Sequence, residues 1–312
     1  KKIKVLITWR LLIDNIEQYK KILKDNNIIY EVLKFKQRAQ KKDLIKIIHN
    51  YDGIICGDDE IDRQVLDKAK KLKVISKWGT GLDSIDLTHS KKLGIKVYNS
   101  PGAFTANVAQ HAVGLMYTLS RNIILNNNDL KTNKVWSKRI CTNLENCNFG
   151  IIGHGKIGKK IISYLQPISK NFLIYDTKYK NPEGSLSKLL LKSDVVFVCC
   201  DLNKTSNNMI NLTKIKLMKK SSFLINISRG PIVNNDDLAK ALKKRIISGV
   251  GLDVFDKEPI PNNSKLIKFQ NCIMTSHNAF NSKEVIDKIN EVSVNNLIKY
   301  FKSYKSENKR KL

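Results

Sequence analysis

The sequence predicts an α/β protein built from two doubly wound domains, each around a parallel sheet. Three observations lead there. Short apolar runs alternate with helical patterns almost from end to end. The 312 residues are about right for two domains of ordinary size. A glycine-rich strand-to-helix turn stands in mid-chain, so a separate α/β domain has to precede it.

Taken in order, short apolar runs read as buried parallel strands at residues 5–7, 53–56, 74–76, 96–98, 148–152, 172–175, 194–199, 222–227, 248–252 and 272–275. Helical patterns fill the intervals at 15–26, 63–71, 106–121, 156–165, 235–244 and 283–302. The opening Lys1-Lys2-Ile3-Lys4-Val5-Leu6-Ile7 is a first strand, because its apolar run is too short for a signal peptide. No run of 18 apolar residues is present, so no membrane span is expected. No repeat of domain-building length is apparent.

The formal net charge is +28, from 56 Lys+Arg against 28 Asp+Glu. Taken alone, this invites a nucleic-acid or anionic-membrane partner. Its distribution argues otherwise. The excess is mostly Lys, spread in pairs over helix faces and joined by abundant Asn and Ile. A compact Arg-rich stripe with interleaved aromatics, the usual mark of a nucleic-acid binder, is missing. The tail from Lys305 to Leu312 is basic but carries no apolar face for a membrane. A solvated Lys-rich surface is expected, with no specific nucleic-acid or membrane partner. Six Cys occur without a Cys-x-x-Cys pair or zinc spacing. They are expected as reduced thiols of a cytoplasmic protein, with no metal site.

The strongest local signal is the strand Asn148-Phe149-Gly150-Ile151-Ile152 followed by Gly153-His154-Gly155-Lys156-Ile157-Gly158 and a helix. In this pattern Gly153 permits the tight turn, Gly155 lets the backbone approach a pyrophosphate, and Gly158 allows close helix–strand packing. The helix start offers N–H groups to phosphates. A second strand then ends in Asp176, whose carboxylate accepts from ribose hydroxyls and repels a 2′-phosphate. NAD is therefore the expected cofactor. His154 is expected to contribute backbone rather than acid–base chemistry.

Three later strand ends carry charge: Ser228-Arg229-Gly230, Asp253 to Glu258, and Ser276-His277-Asn278. Ligands bind at the carboxyl ends of strands in open α/β sheets, so Arg229, Asp253, Glu258 and His277 are expected to converge. Upstream, Lys77-Trp78-Gly79-Thr80-Gly81 is a strand end running into a turn able to present N–H groups to an anion.

Together with Asn99-Ser100-Pro101-Gly102, Val108-Ala109 and the Trp136 region, these residues resemble the D-isomer-specific 2-hydroxyacid dehydrogenases, in particular the phosphoglycerate dehydrogenase-like branch. The resemblance covers essentially the whole chain. It implies a flavodoxin-like substrate domain at residues 1–98 plus 285–312, a Rossmann NAD-binding domain at 99–284, and homodimers formed through the latter. It implies Arg229 as catalytic arginine, Glu258 as acid, His277 as proton donor and Asp253 as the carboxylate near the nicotinamide amide. Cys200, Ile227, Ser228 and Ala279 are further cofactor-binding candidates. The turn Gly79-Thr80-Gly81 is implied as the cradle for the substrate carboxylate, with Trp78 and Ser100 shaping the space and Lys77 at a position that binds phosphate in some relatives.

The implied reaction is hydride transfer between nicotinamide and C2 of a small D-2-hydroxy or 2-oxo acid, such as 3-phosphoglycerate, hydroxypyruvate or glyoxylate. The chain departs from the family at Gln110, where an acidic residue is usual, and at Cys199-Cys200-Asp201. Ending at Leu312, it is expected to lack amino-acid feedback control. The alternative function is a dinucleotide-sensing, corepressor-like binding protein without turnover. His49, His89 and His111 have no catalytic context and are expected at the surface or in the core.

Overall fold

The computed structural model describes residues 2–35, 38–178 and 185–309. The last three residues of the basic tail lie outside that description. The chain forms two compact units, Lys1–Phe104 with Ser282–Leu312, and Thr105–Asn281.

In the first unit five parallel strands, β1 (Ile3–Ile7), β2 (Ile28–Val32), β3 (Gly53–Cys56), β4 (Val74–Lys77) and β5 (Lys96–Tyr98), take the order β2-β1-β3-β4-β5. This is the flavodoxin-like order, which reverses between β1 and β3. Strand β2 is absent from the sequence expectation for a physical reason. It is a sheet edge in which only Ile28 is buried, Ile29 and Val32 are exposed, and Glu31 reaches Lys4 Nζ at 2.6 Å. It therefore lacks the unbroken apolar run of a strand covered on both faces.

The helix expected at 15–26 divides into a 3₁₀ turn, Ile16–Tyr19, and a short helix, Lys20–Asp25. The helix expected at 63–71 starts where Asp62 accepts from Val65 N–H at 3.1 Å and stops at Lys68.

The chain's last helix, Lys283–Lys309, folds back onto this sheet. A Cβ on Gly53 would sit 3.1 Å from Leu297, so the sheet offers a glycine where the helix presses closest. Ser76 Oγ donates to the Ser293 carbonyl at 2.8 Å, and Trp78 Nε1 donates to Asn290 Oδ1 at 2.7 Å. Residues 99–104 also go with this unit. Ser100 N–H donates to the Gly79 carbonyl at 2.8 Å, and the Phe104 ring lies 5.8 Å from that of Trp78.

The second unit holds β6 (Phe149–Ile152), β7 (Phe172–Tyr175), β8 (Val195–Val198), β9 (Phe223–Asn226), β10 (Gly249–Leu252) and β11 (Cys272–Met274), all parallel, in the order β11-β10-β9-β8-β6-β7. Every residue of β6, β8, β9 and β10 is buried. Burial on both faces explains their continuous apolar runs. Phe149 and Phe197 are fully buried with rings 6.4 Å apart, each contributing about 1.5–3 kcal/mol through the area it hides. The helix Thr105–Ser120 packs beneath β10, where a Cβ on Gly251 would lie 3.0 Å from that of Leu115. Among the described residues no helix is long and apolar enough to cross a membrane.

Candidate active site

The strand register of the second unit ends along one line. Tyr175, Ile152, Val198, Asn226, Leu252 and Met274 are aligned partners across the six strands. Asp176, Gly153, Cys199, Ile227, Asp253 and Thr275 follow immediately. Residues scattered over more than a hundred positions thus emerge at one sheet edge, and the strand order reverses between β6 and β8.

The turn after β6 sits at that reversal. Gly153 has φ +101, and a Cβ there would lie 2.6 Å from Cys200 Cα. Both backbone freedom and space therefore demand glycine. A Cβ on Gly158 would come within 2.1 Å of the Gly153 carbonyl oxygen. Gly155 differs: a Cβ there would meet no protein atom within 4 Å. Its side-chain space is open at the start of the helix Lys156–Leu165, where backbone N–H groups favour an anion.

Asp176 is half-buried, with Oδ2 accepting from His154 N–H at 2.7 Å and Oδ1 from Lys178 N–H at 2.8 Å. Burial first, and Lys159 second, lower the basicity of the His154 imidazole, with Asp176 partly offsetting them. Cys199 Sγ donates to the Gly153 carbonyl at 3.1 Å, and Ser228 Oγ donates to the Cys200 carbonyl. Burial pushes the Cys200 thiol up to about 11, so it is uncharged at neutral pH. Ile227 and Ala279 are buried. Lys156 is exposed and Ile157 half-buried. This open, glycine-lined helix start with a carboxylate at the next strand end fits a dinucleotide.

Arg229, Glu258 and His277 follow β9, β10 and β11, three consecutive strands. Glu258 Oε1 accepts from Phe255 N–H at 2.9 Å, and Oε2 lies 2.8 Å from His277 Nδ1. Nδ1 is thus the ring nitrogen that Glu258 holds, which fixes the tautomer and orientation of the imidazole. His277 takes φ +53, and its N–H donates to the Asp253 carbonyl at 2.8 Å. Arg229 is half-buried, with Nη1 donating to the Ser228 carbonyl at 2.9 Å. Gly230 behind it has no room for a side chain, since a Cβ would lie 1.8 Å from the Phe255 carbonyl carbon. The loop carrying Arg229 is thereby pressed against the loop carrying Glu258.

The Asp253 side chain is turned to its own scaffold. Only 1% exposed, its carboxylate accepts from Thr275 Oγ1 at 2.6 Å, Asn278 N–H at 2.8 Å and Ala279 N–H at 2.9 Å. These bonds fix the turn that bears His277. Sequence reasoning missed two supports of this arrangement. His111 Nε2 lies 2.9 Å from Thr275 Oγ1. Thr275 spends its one proton on Asp253, so His111 is the donor of that pair. Asn226 accepts from Ser228 N–H at 3.1 Å and donates to the Arg229 carbonyl at 3.0 Å. His111 carries no local signal because its partner stands 164 residues away in sequence. Asn226 ends an apolar strand with a polar residue, a signal that could have been used.

In the first unit, the turn after β4 is built on Trp78 and Lys77, whose side chains point inward. Trp78 is 3% exposed and packs on Trp9, ring centroids 5.1 Å apart. Lys77 is equally buried, and its Nζ donates to Asp58 Oδ1 at 2.9 Å and to the Trp78 carbonyl at 3.2 Å. Gly79 has φ +121. Thr80 Oγ1 donates to the Ser100 carbonyl at 3.1 Å, and Ser100 Oγ is buried without a partner among the described residues. No hydrogen bond from the N–H groups of Gly79, Thr80 or Gly81 occurs among the described residues, so this row is available to an anion.

A doubly wound sheet with a dinucleotide turn and a carboxylate-held histidine on the same edge defines a nicotinamide-linked oxidoreductase. Comparison with known proteins agrees. Residues 113–279 match the family model of the D-isomer specific 2-hydroxyacid dehydrogenase, NAD binding domain. A glyoxylate reductase of Thermofilum pendens is 35% identical over 277 residues, which cover 84% of this chain and 82% of that protein. The glyoxylate reductase/hydroxypyruvate reductase of Homo sapiens is 31% identical, covering 82% of this chain and 83% of that protein. The structure of a D-lactate dehydrogenase from Aquifex aeolicus, complexed with NAD and lactic acid, superposes with a TM-score of 0.85 at 26% identity, covering 96% of each chain. The chain belongs to the D-isomer-specific 2-hydroxyacid dehydrogenases. It is an NAD-dependent oxidoreductase of 2-hydroxy acids, and the regulatory alternative is not favoured.

Proposed function

We propose that this enzyme reduces a small unphosphorylated 2-oxo acid, glyoxylate or hydroxypyruvate, at C2 with NADH. The observation that carries this reading is the His277–Glu258 pair at 2.8 Å, beside the strand end that bears Arg229. The similarity to glyoxylate and hydroxypyruvate reductases favours the same acids, whereas a phosphorylated substrate would need a cation that Lys77, paired with Asp58, does not offer.

Bound NADH supplies the hydride. His277 Nε2 gives its proton to the C2 oxygen as that carbon is reduced, and the imidazole is reprotonated from solvent. Glu258 holds the ring in the correct tautomer and stabilises the charged form. Arg229 binds the carboxylate and polarises the C2 oxygen. Gly153, His154, Gly155, Lys156, Ile157 and Gly158 hold the pyrophosphate through backbone, and Asp176 holds the adenosine ribose. Cys200, Ile227, Ser228 and Ala279 line the cofactor's path, while Asp253 positions the His277 turn. The N–H groups of Gly79, Thr80 and Gly81 hold the substrate carboxylate, over a floor of Lys77, Trp78 and Ser100.

A second copy of this chain is the proposed partner, docking on the second unit. There Trp136 is 82% and Ile140 97% exposed, with Val135 and Leu130 also open. Large apolar side chains in such a group mark an association surface. Six unpaired thiols suit the reducing cytoplasm.

The test is NADH oxidation with glyoxylate, hydroxypyruvate, pyruvate and phosphohydroxypyruvate. Turnover of the first two, lost in His277→Ala with NADH binding retained, is expected. Folded protein that binds NADH but oxidises it with none of the four would overturn the reading.

A further inference from the structure

We infer that Asp58 sets substrate preference at the glycine turn of the first unit, by neutralising the buried cation beneath it. The inference rests on the proposal that Gly79, Thr80 and Gly81 hold the substrate carboxylate. Lys77 ends β4, and its side chain is 3% exposed. Its Nζ would lie 3.6 Å from a Cβ on Gly79, so the ammonium sits directly under the cradle. An acid held by those N–H groups is therefore next to this cation. Two of the three ammonium donors go to Asp58 Oδ1 at 2.9 Å and the Trp78 carbonyl at 3.2 Å.

A cation this buried needs a counter-charge, and Asp58 supplies it. Asp58 is itself 44% exposed. The neighbouring Asp59 feels the Lys77 charge as well, but its hydrogen bonds go elsewhere. That side chain is 1% exposed and accepts from Thr8 Oγ1 at 2.6 Å and Gly57 N–H at 3.1 Å, which makes it part of the loop's own scaffold.

The Lys77–Asp58 pair is neutral as a unit. It tolerates a 2-oxo acid with a hydrogen or hydroxymethyl group at C2, whose single carboxylate the N–H row satisfies. A phosphorylated analogue adds close to two negative charges. It would then face a cation already neutralised and a carboxylate beside it. Asp58 is thus a specificity determinant acting through Lys77, selecting uncharged over phosphorylated substituents.

Asp58→Asn keeps an amide oxygen for Lys77 and removes only the charge. Steady-state kcat/KM with NADH is measured for hydroxypyruvate and for phosphohydroxypyruvate. The phosphorylated-to-unphosphorylated ratio is expected to rise at least about tenfold in Asp58→Asn, and to return to the wild-type value in Asp58→Asn/Lys77→Met. An unchanged ratio in a variant that still reduces hydroxypyruvate overturns the inference, as does a gain that survives in the double variant. If Asp58→Asn does not fold, Asp58→Ser is held to the same ratio. Wild-type enzyme that binds NADH but reduces neither acid overturns the cradle reading itself. Hydroxypyruvate turnover without a shift in ratio overturns only the role of Asp58.

Discussion

Glu258 grips His277 through one carboxylate oxygen, Oε2 at 2.8 Å from Nδ1, while its other oxygen is held by Phe255 N–H at 2.9 Å. The acid is thus anchored to its own loop and cannot swing away from the imidazole without breaking a backbone bond. Glu258→Gln keeps the shape but turns an amide N–H₂ toward either Phe255 N–H or the imidazole. A kcat loss of about 10- to 100-fold is expected, with NADH affinity little changed, read from steady-state kinetics and fluorescence titration. Reduction of the 2-oxo acid consumes a proton and oxidation of the hydroxy acid releases one, so raising the pH is expected to favour oxidation.

The three glycines of the dinucleotide turn are expected to fail in different ways. Gly153→Ala meets Cys200 at 2.6 Å from a φ of +101, and Gly158→Ala meets the Gly153 carbonyl oxygen at 2.1 Å. Both lose stability, by about 1–3 kcal/mol or more in chemical denaturation. Gly155→Ala meets nothing. It melts like wild type yet binds NADH at least about tenfold more weakly, because its methyl group fills space meant for the pyrophosphate.

Asp176 accepts from both His154 N–H and Lys178 N–H. Asp176→Ser is expected to weaken NADH binding about tenfold and to narrow the preference over NADPH, since the carboxylate that repels a 2′-phosphate is gone. Parallel titrations with the two cofactors measure this.

Thr275 links His111 to Asp253, by contacts of 2.9 and 2.6 Å. Thr275→Val removes the hydroxyl but not the volume, and leaves His111 and the 1%-exposed Asp253 each short of a partner. A loss of about 1–3 kcal/mol in urea unfolding is expected. A lower kcat should accompany it, because Asp253 holds the His277 turn.

Trp136 and Ile140 stand 82% and 97% exposed. If the proposed dimer forms on this face, Trp136→Glu with Ile140→Lys converts it to monomers in sedimentation velocity while leaving NADH binding in place.

Much of this was legible beforehand for a physical reason. Strands buried on both faces must be apolar throughout, so β6, β8, β9 and β10 announce themselves. A dinucleotide turn must use glycine where the backbone turns left-handed or another chain segment leaves no room, so Gly153 and Gly158 are readable. The half-exposed edge β2 is under neither constraint and was invisible.

The sequence by itself determined the alternation of strands and helices and the glycine-rich turn with Asp176 at the next strand end, and it put Arg229, Glu258 and His277 after three strands. Only the tertiary structure decided which partner each side chain meets. It turned Asp253 onto its own loop, brought His111 to Thr275 across 164 residues, and paired Lys77 with Asp58. Local patterning reflects burial and backbone geometry, which neighbouring residues encode. A hydrogen bond or ion pair between distant residues depends on strand order and register, which emerge only when the whole sheet is assembled.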